Sequence, residues 1–356
     1  MARPDFVVVG AGPAGAAFAY YASLRGYRVA VYEQAPRPGM KPCGWAVPSS
    51  ISKHLNVPGE AIVAGIDGYR VYLDNKLLYD VRVKGWGWII DKPRFLEELL
   101  EGVETHYRRP LRVPCNGPPR LPQGGVIEAR EGVVLAPGSA WPCSPGEKIS
   151  AVQRLYRAPS GLVEEGVVEI WFDSSMVGYY WVFPHSRRLV DIGVGGYLSF
   201  AELEERLKAF ASRRLEGRGE GVSSFKGARI VVAGVDKGLF ARRREPVIGE
   251  AAGFVYPLTG EGIRPSVVSA YALIEELDRG VSRLEAASET ITWISRQKRL
   301  LDAIKRASPK ARGDVLRALP AEAMVAVGLG SIDARSLLKI LARAPLAAAK
   351  LLRYLM

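Results

Sequence analysis

The first apolar run of the chain, Phe6-Val7-Val8-Val9, has no polar residue alternating through it, which is the pattern of a short strand buried on both faces. Gly10, Gly12 and Gly15 follow at once, and small apolar residues then predict a helix over 13–25, stopped by Gly26. Residues 27–32 predict a second strand that ends on Glu33. A loop rich in Pro, Gly and Ser runs to about residue 50, and 51–55 predicts a short helix. Alternation over 66–83 predicts two antiparallel strands turning at Asp74-Asn75, and 85–90 reads as a further strand. Asp91 is placed to cap a helix over 93–100, with Pro93 in its first turn. Residues 101–130 are poorly patterned, and strand character returns over 126–135. Four aromatic-rich strand runs lie between 152 and 194, broken by turn residues, and predict a mixed or antiparallel sheet. A charged helix over 200–216, extended runs at 228–233 and 240–247, and a helix over 264–277 come next. Residues 281–356 read as helical, with breaks at Pro309, Pro320 and Pro345.

The strand–turn–helix–strand order of residues 6–33 gives the glycines a chemical meaning. Gly10 permits the tight turn, Gly12 lets backbone approach a pyrophosphate, and Gly15 lets the helix lie close to the strand. The helix that starts with Pro13 and Ala14 aims its free amides and its dipole at the phosphates. Glu33, 18 residues past Gly15, is placed to accept hydrogen bonds from ribose hydroxyls. An acid there favours a free 2′-hydroxyl, and so FAD or NAD over NADP.

Composition adjusts this picture at a few points. At 356 residues the chain can bury one large core or two, and 48% hydrophobic with 24% charged residues is the balance of a globular protein. No apolar run reaches the length of a membrane span and the first residues already read as strand, so a cytoplasmic protein is expected. Cys43, Cys115 and Cys143 form no CxxC pair, which argues against a metal site, and free thiols are expected of them unless the source is hyperthermophilic. Three Asn and four Gln against 24 Pro point toward a thermophile. The net charge of +12 suits an anionic contact: a membrane surface, a phosphorylated substrate or nucleic acid. The basic residues are scattered, which does not favour nucleic acid, and a basic surface kept for solubility is the plain alternative. Residues 334–356 carry Arg335, Lys339, Arg343, Lys350 and Arg353 with leucines at helical spacing and no acid. They predict a basic amphipathic helix, which either lies on an anionic membrane or packs on the body.

Two further stretches carry the reading to a flavin. GEAAG at 249–253 and PLTGEGI at 257–263 resemble the second FAD signature of p-hydroxybenzoate-hydroxylase-like flavoproteins, with Glu250 where that family usually has Asp. The resemblance implies that Gly249, Glu250 and Gly253 lie along the ribitol and pyrophosphate, and that Gly260, Glu261, Gly262 and Ile263 bring a helix start to the ring. Within that superfamily the chain is similar to the geranylgeranyl reductases that saturate isoprenoid chains of archaeal digeranylgeranylglycerophospholipids. The Lys41-Pro42-Cys43-Gly44 loop, the run Tyr179-Tyr180-Trp181-Val182-Phe183-Pro184 (a YxWxFP pattern) and PLTGEGI carry this similarity, which spans about 5–275.

The implied architecture is α/β: a Rossmann-like FAD-binding domain made of 1–60, 90–140 and 228–280, an inserted mixed or antiparallel-sheet substrate domain of 61–89 and 141–227, and a helical C-terminal region of 281–356. The implied activity is FAD-dependent reduction of prenyl C=C bonds. Cys43 is the candidate proton donor or flavin gate, with a small buried residue as the alternative, and Cys43 and Gly44 are expected at the ring. Tyr179, Trp181, Phe183 and Pro184 are expected to line a pocket for the chain, with plain core packing as the alternative. Pro137 stands where many flavin hydroxylases carry an acid, which argues against an NADPH-gated hydroxylase. No second GxGxxG is present, which argues against a separate nicotinamide domain, and an external electron donor, NAD(P)H or ferredoxin, is expected with the choice between them left open. A hydroxylase of apolar aromatics and a flavin- or prenyl-lipid-binding protein without turnover are the competing readings. His54, His106 and His185 read as structural or exposed.

Overall fold

The computed structural model describes residues 3–321 and residue 326. Strand β1 (Phe6–Val9) leads through the glycine turn into helix α1 (Pro13–Leu24), and β2 (Val29–Tyr32) returns beside β1. A short strand β3 (Ala46–Pro48) precedes the long hairpin of β4 (Ile62–Leu73) and β5 (Lys76–Ile90), and α2 (Lys92–Leu99) follows. Next come β6 (Glu104–His106), β7 (Gly132–Leu135), β8 (Lys148–Arg157), β9 (Val167–Phe172), β10 (Gly178–Pro184) and β11 (Leu189–Gly196). Helix α3 (Phe200–Arg214), β12 (Glu220–Gly221) and β13 (Lys226–Val231) precede the helices α4 (Ile263–Arg279), α5 (Arg283–Ala286), α6 (Ser288–Arg306) and α7 (Pro309–Ala318).

These elements form two sheets. The first is parallel, in the order β6-β2-β1-β7, with Val8 opposite Val31 on one side and Val134 on the other. Its apolar strands pack under α1, and α1 is buried on nearly every side because Ala14, Gly15, Ala16, Ala17 and Ala19 are small enough to fit between the sheet and α4. The second sheet runs β12-β8-β11-β10-β9-β4-β5-β3, with β13 also on β8. It is antiparallel except where β4 meets β9, so it is mixed as expected. Helix α3 covers one face of it. Its Leu203, Leu207 and Phe210 pack on Tyr180, Val182, Ile192 and Val194, and a Ser199–Glu202 capping box fixes its start. The alternate residues of β10, Tyr179, Trp181 and Phe183, face the other way, toward the parallel sheet and its loops.

Several expectations change. Residues 85–90 are the end of β5 rather than a separate strand: the ladder slips between the Ile66–Gly87 and Gly68–Arg82 pairs, and the Gly85 amide donates to Asp67 at 2.7 Å inside that bulge. Strand character over 126–135 shrinks to β7. The extended run at 228–233, read from sequence as the start of the return segment, instead begins within β13, which pairs with β8 of the large sheet. The return to the parallel sheet is made later, where Leu135 donates to Pro246 and Ile248 donates to Leu135, both at 2.9 Å. The expected hairpin turn at Asp74-Asn75 is present with both residues at positive φ, and Asp91 caps α2 by accepting from the Arg94 amide at 3.1 Å.

Two of the expected free thiols are not free. Cys115 and Cys143 form a disulfide with their Cα atoms 5.5 Å apart, which leaves Cys43 as the thiol. The bridge closes the poorly patterned 101–130 stretch against the turn after β7, where Trp141 Nε1 also donates to the Val113 carbonyl at 2.9 Å and Arg243 donates to the carbonyls of Cys115 and Gly117. The segment has too few apolar residues to hold itself down, and these cross-links supply what its sequence lacks. Cys115→Ser is expected to lower unfolding free energy by about 3.5 kcal/mol, the chain-entropy value for a loop closed over 28 residues. Urea unfolding in non-reducing buffer measures the drop, and a reductant should bring wild type down to the variant.

Candidate active site

The glycine turn is built by backbone packed on backbone. Gly10 has φ +100°, and a Cβ there would stand 2.3 Å from the Ala136 carbonyl oxygen. A Cβ on Gly15 would stand 1.9 Å from the Gly10 oxygen. Gly12 differs: its missing Cβ faces open space at the start of α1, beside amides that no helix can satisfy internally. That cradle is the shape and charge a pyrophosphate needs, and it fits the dinucleotide reading. Glu33 is 9% exposed, accepts from the Ala11 amide at 2.7 Å and from the Ala35 amide at 2.8 Å, and so stands against the same turn. A carboxylate has about four acceptor positions, which leaves capacity for ribose hydroxyls.

The return segment is pressed against the same helix start. Gly249 has φ +68°, and a Cβ there would come within 2.6 Å of the Ala14 Cβ; Gly253 has φ +84° and would strike the Gly234 oxygen at 1.9 Å. Glu250 accepts from the Val231 amide at 3.1 Å and pairs with Lys41 at 2.5 Å, so its longer side chain spans from the return segment to the cysteine loop. Gly260 and Gly262 have room around them, and α4 begins at Ile263. The Glu261 carboxylate turns away to a forked pair with Arg264 at 2.8 and 2.9 Å, so this residue offers the site its backbone rather than its charge.

The cysteine loop lies between these glycines and the aromatic face of β10. A Cβ on Gly44 would be 2.9 Å from the Phe183 ring and 3.2 Å from Trp181 Nε1, while one on Gly193 of β11 would sit 2.0 Å from the Trp181 ring. The indole is thus slotted between two glycines. Its Nε1 donates to Asp191 Oδ1 at 2.7 Å, Gln153 Nε2 donates to Asp191 Oδ2 at 2.9 Å, and the same amide nitrogen donates to the Cys43 carbonyl at 3.1 Å. Tyr179 donates from its hydroxyl to the Thr259 carbonyl of PLTGEGI, and burial pushes its phenol up. Pro184 is buried at the end of β10. Lys92, 4% exposed, donates to the Lys41 carbonyl at 2.6 Å, and desolvation lowers its pKa. Trp45, at φ +63°, sends its amide toward Cys43 Sγ at 3.5 Å and stacks on His185.

Thus Cys43, Gly44, Glu250, Tyr179, Trp181 and Phe183 converge, with Pro137 beside Gly10. His54 and His106 stay apart, against Tyr271 and Tyr32. Asp191, Gln153 and Lys92 escaped the sequence reading. The one available signal was a lone acid in the otherwise apolar and glycine run of β11. Burial raises Asp191 to about 7 against the opposing pull of its two hydrogen bonds and of Lys226.

The fold and the glycine geometry are those of an FAD-dependent oxidoreductase. Residues 8–53 match the family described as NAD(P)-binding Rossmann-like domain. Within the class, the resemblance to geranylgeranyl reductases extends well beyond the motifs. The chain is 26% identical to the geranylgeranyl diphosphate reductase of Rhodobacter capsulatus over 73% of this chain and 71% of that one. It is 27% identical to digeranylgeranylglycerophospholipid reductase 2 of Methanopyrus kandleri over 94% of this chain and 98% of that one. A crystal structure of a geranylgeranyl bacteriochlorophyll reductase-like protein from Thermoplasma acidophilum superposes with a TM-score of 0.76 at 18% identity, covering 99% of both chains.

Two outcomes follow from the slot. Gly193→Ala should cost about 1–3 kcal/mol, because the indole has nowhere to move. Gly195→Ala, whose nearest side-chain neighbour would be 3.5 Å away, should leave the denaturation midpoint close to wild type. The folded-state pKa of Asp191 is raised, so the folded protein holds its proton longer than the unfolded chain does. The stability of wild type relative to Asp191→Asn should therefore fall as pH rises from about 4 to about 7, and then level off. Urea titrations across that range measure the slope.

Proposed function

We propose that this protein reduces carbon–carbon double bonds in the geranylgeranyl chains of a membrane-lipid precursor. The observation that carries the reading is the aromatic face of Tyr179, Trp181 and Phe183 laid directly against the cysteine loop, at the junction of the two sheets. An isoprenoid chain has no polar handle along its length, so a wall of rings is the kind of surface that can hold it. The relatives named for reductases of such chains support the same substrate class.

FAD, when bound, supplies the hydride for one alkene carbon. The chain's residues do the rest. Gly10, Gly12, Pro13, Ala14 and Gly15 would cradle the pyrophosphate, and Glu33 would take the ribose hydroxyls. Gly249, Glu250 and Gly253 would lie along the ribitol. Gly260, Glu261, Gly262 and Ile263 would bring backbone amides to the ring, with Gly44 admitting it from the opposite side. The Cys43 thiol would give the proton for the second alkene carbon, since an unpolarised alkene gains most from an acid placed at that atom. Tyr179, Trp181, Phe183 and Pro184 would align the chain and keep water out. Electrons come from an external donor of the NAD(P)H or ferredoxin type. The basic stretch 334–356, proposed to rest on the inner face of the cell membrane, lies outside the described residues; among those described, no helix is long and apolar enough to cross a membrane.

The test is anaerobic. The flavin-loaded protein is reduced with dithionite and given a geranylgeranyl lipid, and the flavin band and lipid mass are followed together. Reoxidation with a gain of two hydrogens per bond is expected, and Cys43→Ala should slow it by about a hundredfold or more. A reduced flavin that outlasts the lipid, with no change in lipid mass, would remove the reductase reading.

A further inference from the structure

Two acids of the large sheet are 2% exposed, and they are handled differently. Glu169 is paired with Arg214 at 2.5 Å. Asp191 forms no ion pair among the described residues, and its two oxygens are taken instead by the indole N–H of Trp181 and the amide N–H of Gln153. An unpaired buried acid is costly to keep, and packing does not require it. Its geometry shows what it secures. Gln153 faces two groups that only accept, Asp191 Oδ2 and the Cys43 carbonyl, and only the nitrogen end of its amide satisfies both.

We propose that Asp191 is a positioning residue of this site: through the Gln153 amide it fixes the Cys43 carbonyl, and through the Trp181 indole it fixes the wall facing that loop, so one carboxylate sets the distance between the two. The proposal rests on the reductase reading for the roles of Cys43 and Trp181. Its state of ionisation matters. A protonated Asp191 has a hydrogen to give; Trp181 can only donate, so Gln153 must turn its oxygen toward the acid and withdraw its nitrogen from Cys43. Among the elements packed against Asp191, β8 brings Gln153, β10 brings Trp181, the cysteine loop brings Cys43, and β13 brings Lys226, whose charge favours the ionised form. The carboxylate therefore tethers the cysteine loop when charged and releases it when neutral.

Cys43 is the free thiol of a chain whose other two cysteines are bridged, so its labelling reports on the loop alone. The purified full chain, with FAD added, is treated with dithiodipyridine from pH 5 to pH 8, and each variant is compared with wild type at the same pH, which cancels the thiol's own ionisation. At pH 8, Asp191→Asn and Gln153→Leu should each label about fivefold faster than wild type, the factor for one lost hydrogen bond. The ratio should close toward one at pH 5, where wild type has itself lost the tether. Variants that label at the wild-type rate at pH 8, or a ratio that stays the same from pH 5 to pH 8, would overturn the proposal. If Asp191→Asn does not fold, Gln153→Leu carries the same comparison. The labelling needs no substrate. A protein that labels as expected and reduces no prenyl chain keeps the tether and loses the reductase reading, while one that turns over with unchanged labelling in both variants loses the tether alone.

Discussion

Everything at this site depends on how closely three pieces of backbone approach the first turn of α1. The Gly10 position touches the carbonyl of Ala136, Gly15 rides on the carbonyl of Gly10, and Gly249 presses on Ala14. None of the three distances leaves space for a methyl group. Together they bring the end of β1, the end of β7 and the return segment to one point, where the open side of Gly12 and the unsatisfied amides of α1 remain exposed to a ligand. The apolar strands and the alanine-rich helix are what makes such an approach affordable, because their burial holds the junction without help from long side chains.

The cysteine loop extends that junction to the large sheet. Lys41 reaches Glu250 on one side, the Cys43 carbonyl reaches Gln153 on the other, and Gly44 lies against the rings of Phe183 and Trp181. The loop is thereby fixed at both ends and in the middle, although it has no regular structure. This arrangement also gives the Glu at position 250 a use that a shorter Asp does not offer so readily: one oxygen stays on the Val231 amide while the other meets the lysine of the loop. The elements on which the function is proposed to rest are in this way held by contacts between parts of the chain far apart in sequence.

That distance decides what could be read in advance. The glycine turn, α1, the Asp74-Asn75 hairpin and the capped α2 all depend on signals within about a dozen residues, and each was legible. The alternation of Tyr179, Trp181 and Phe183 gave their common face, because strand period two needs no partner to be recognised. What sequence could not supply was pairing. The partner of β13, the union of Cys115 with Cys143, and the bulge that carries β5 past Gly85 are each set by segments remote in the chain. Asp191 belongs to the same group: its neighbours in sequence are apolar, and its purpose appears only when β8 and β10 are placed on either side of it.

The choice of an acid at that position follows from counting donors. Trp181 and Gln153 approach from the two neighbouring strands, and both arrive with an N–H. An amide side chain between them would offer one oxygen and one NH2, so with the oxygen taken by the indole its NH2 would require Gln153 to turn its own oxygen inward and give up the Cys43 carbonyl. A hydrophobic residue would leave both N–H groups buried and unsatisfied, at about 1–3 kcal/mol each. A carboxylate accepts from both, and each charge-assisted bond is stronger than a neutral one. Against this stands desolvation, which raises the acid to about 7 and so is the larger force on its proton. The balance leaves Asp191 poised between its two states near neutrality, and the glycines on either side of Trp181 ensure that the indole it holds has a single place to be.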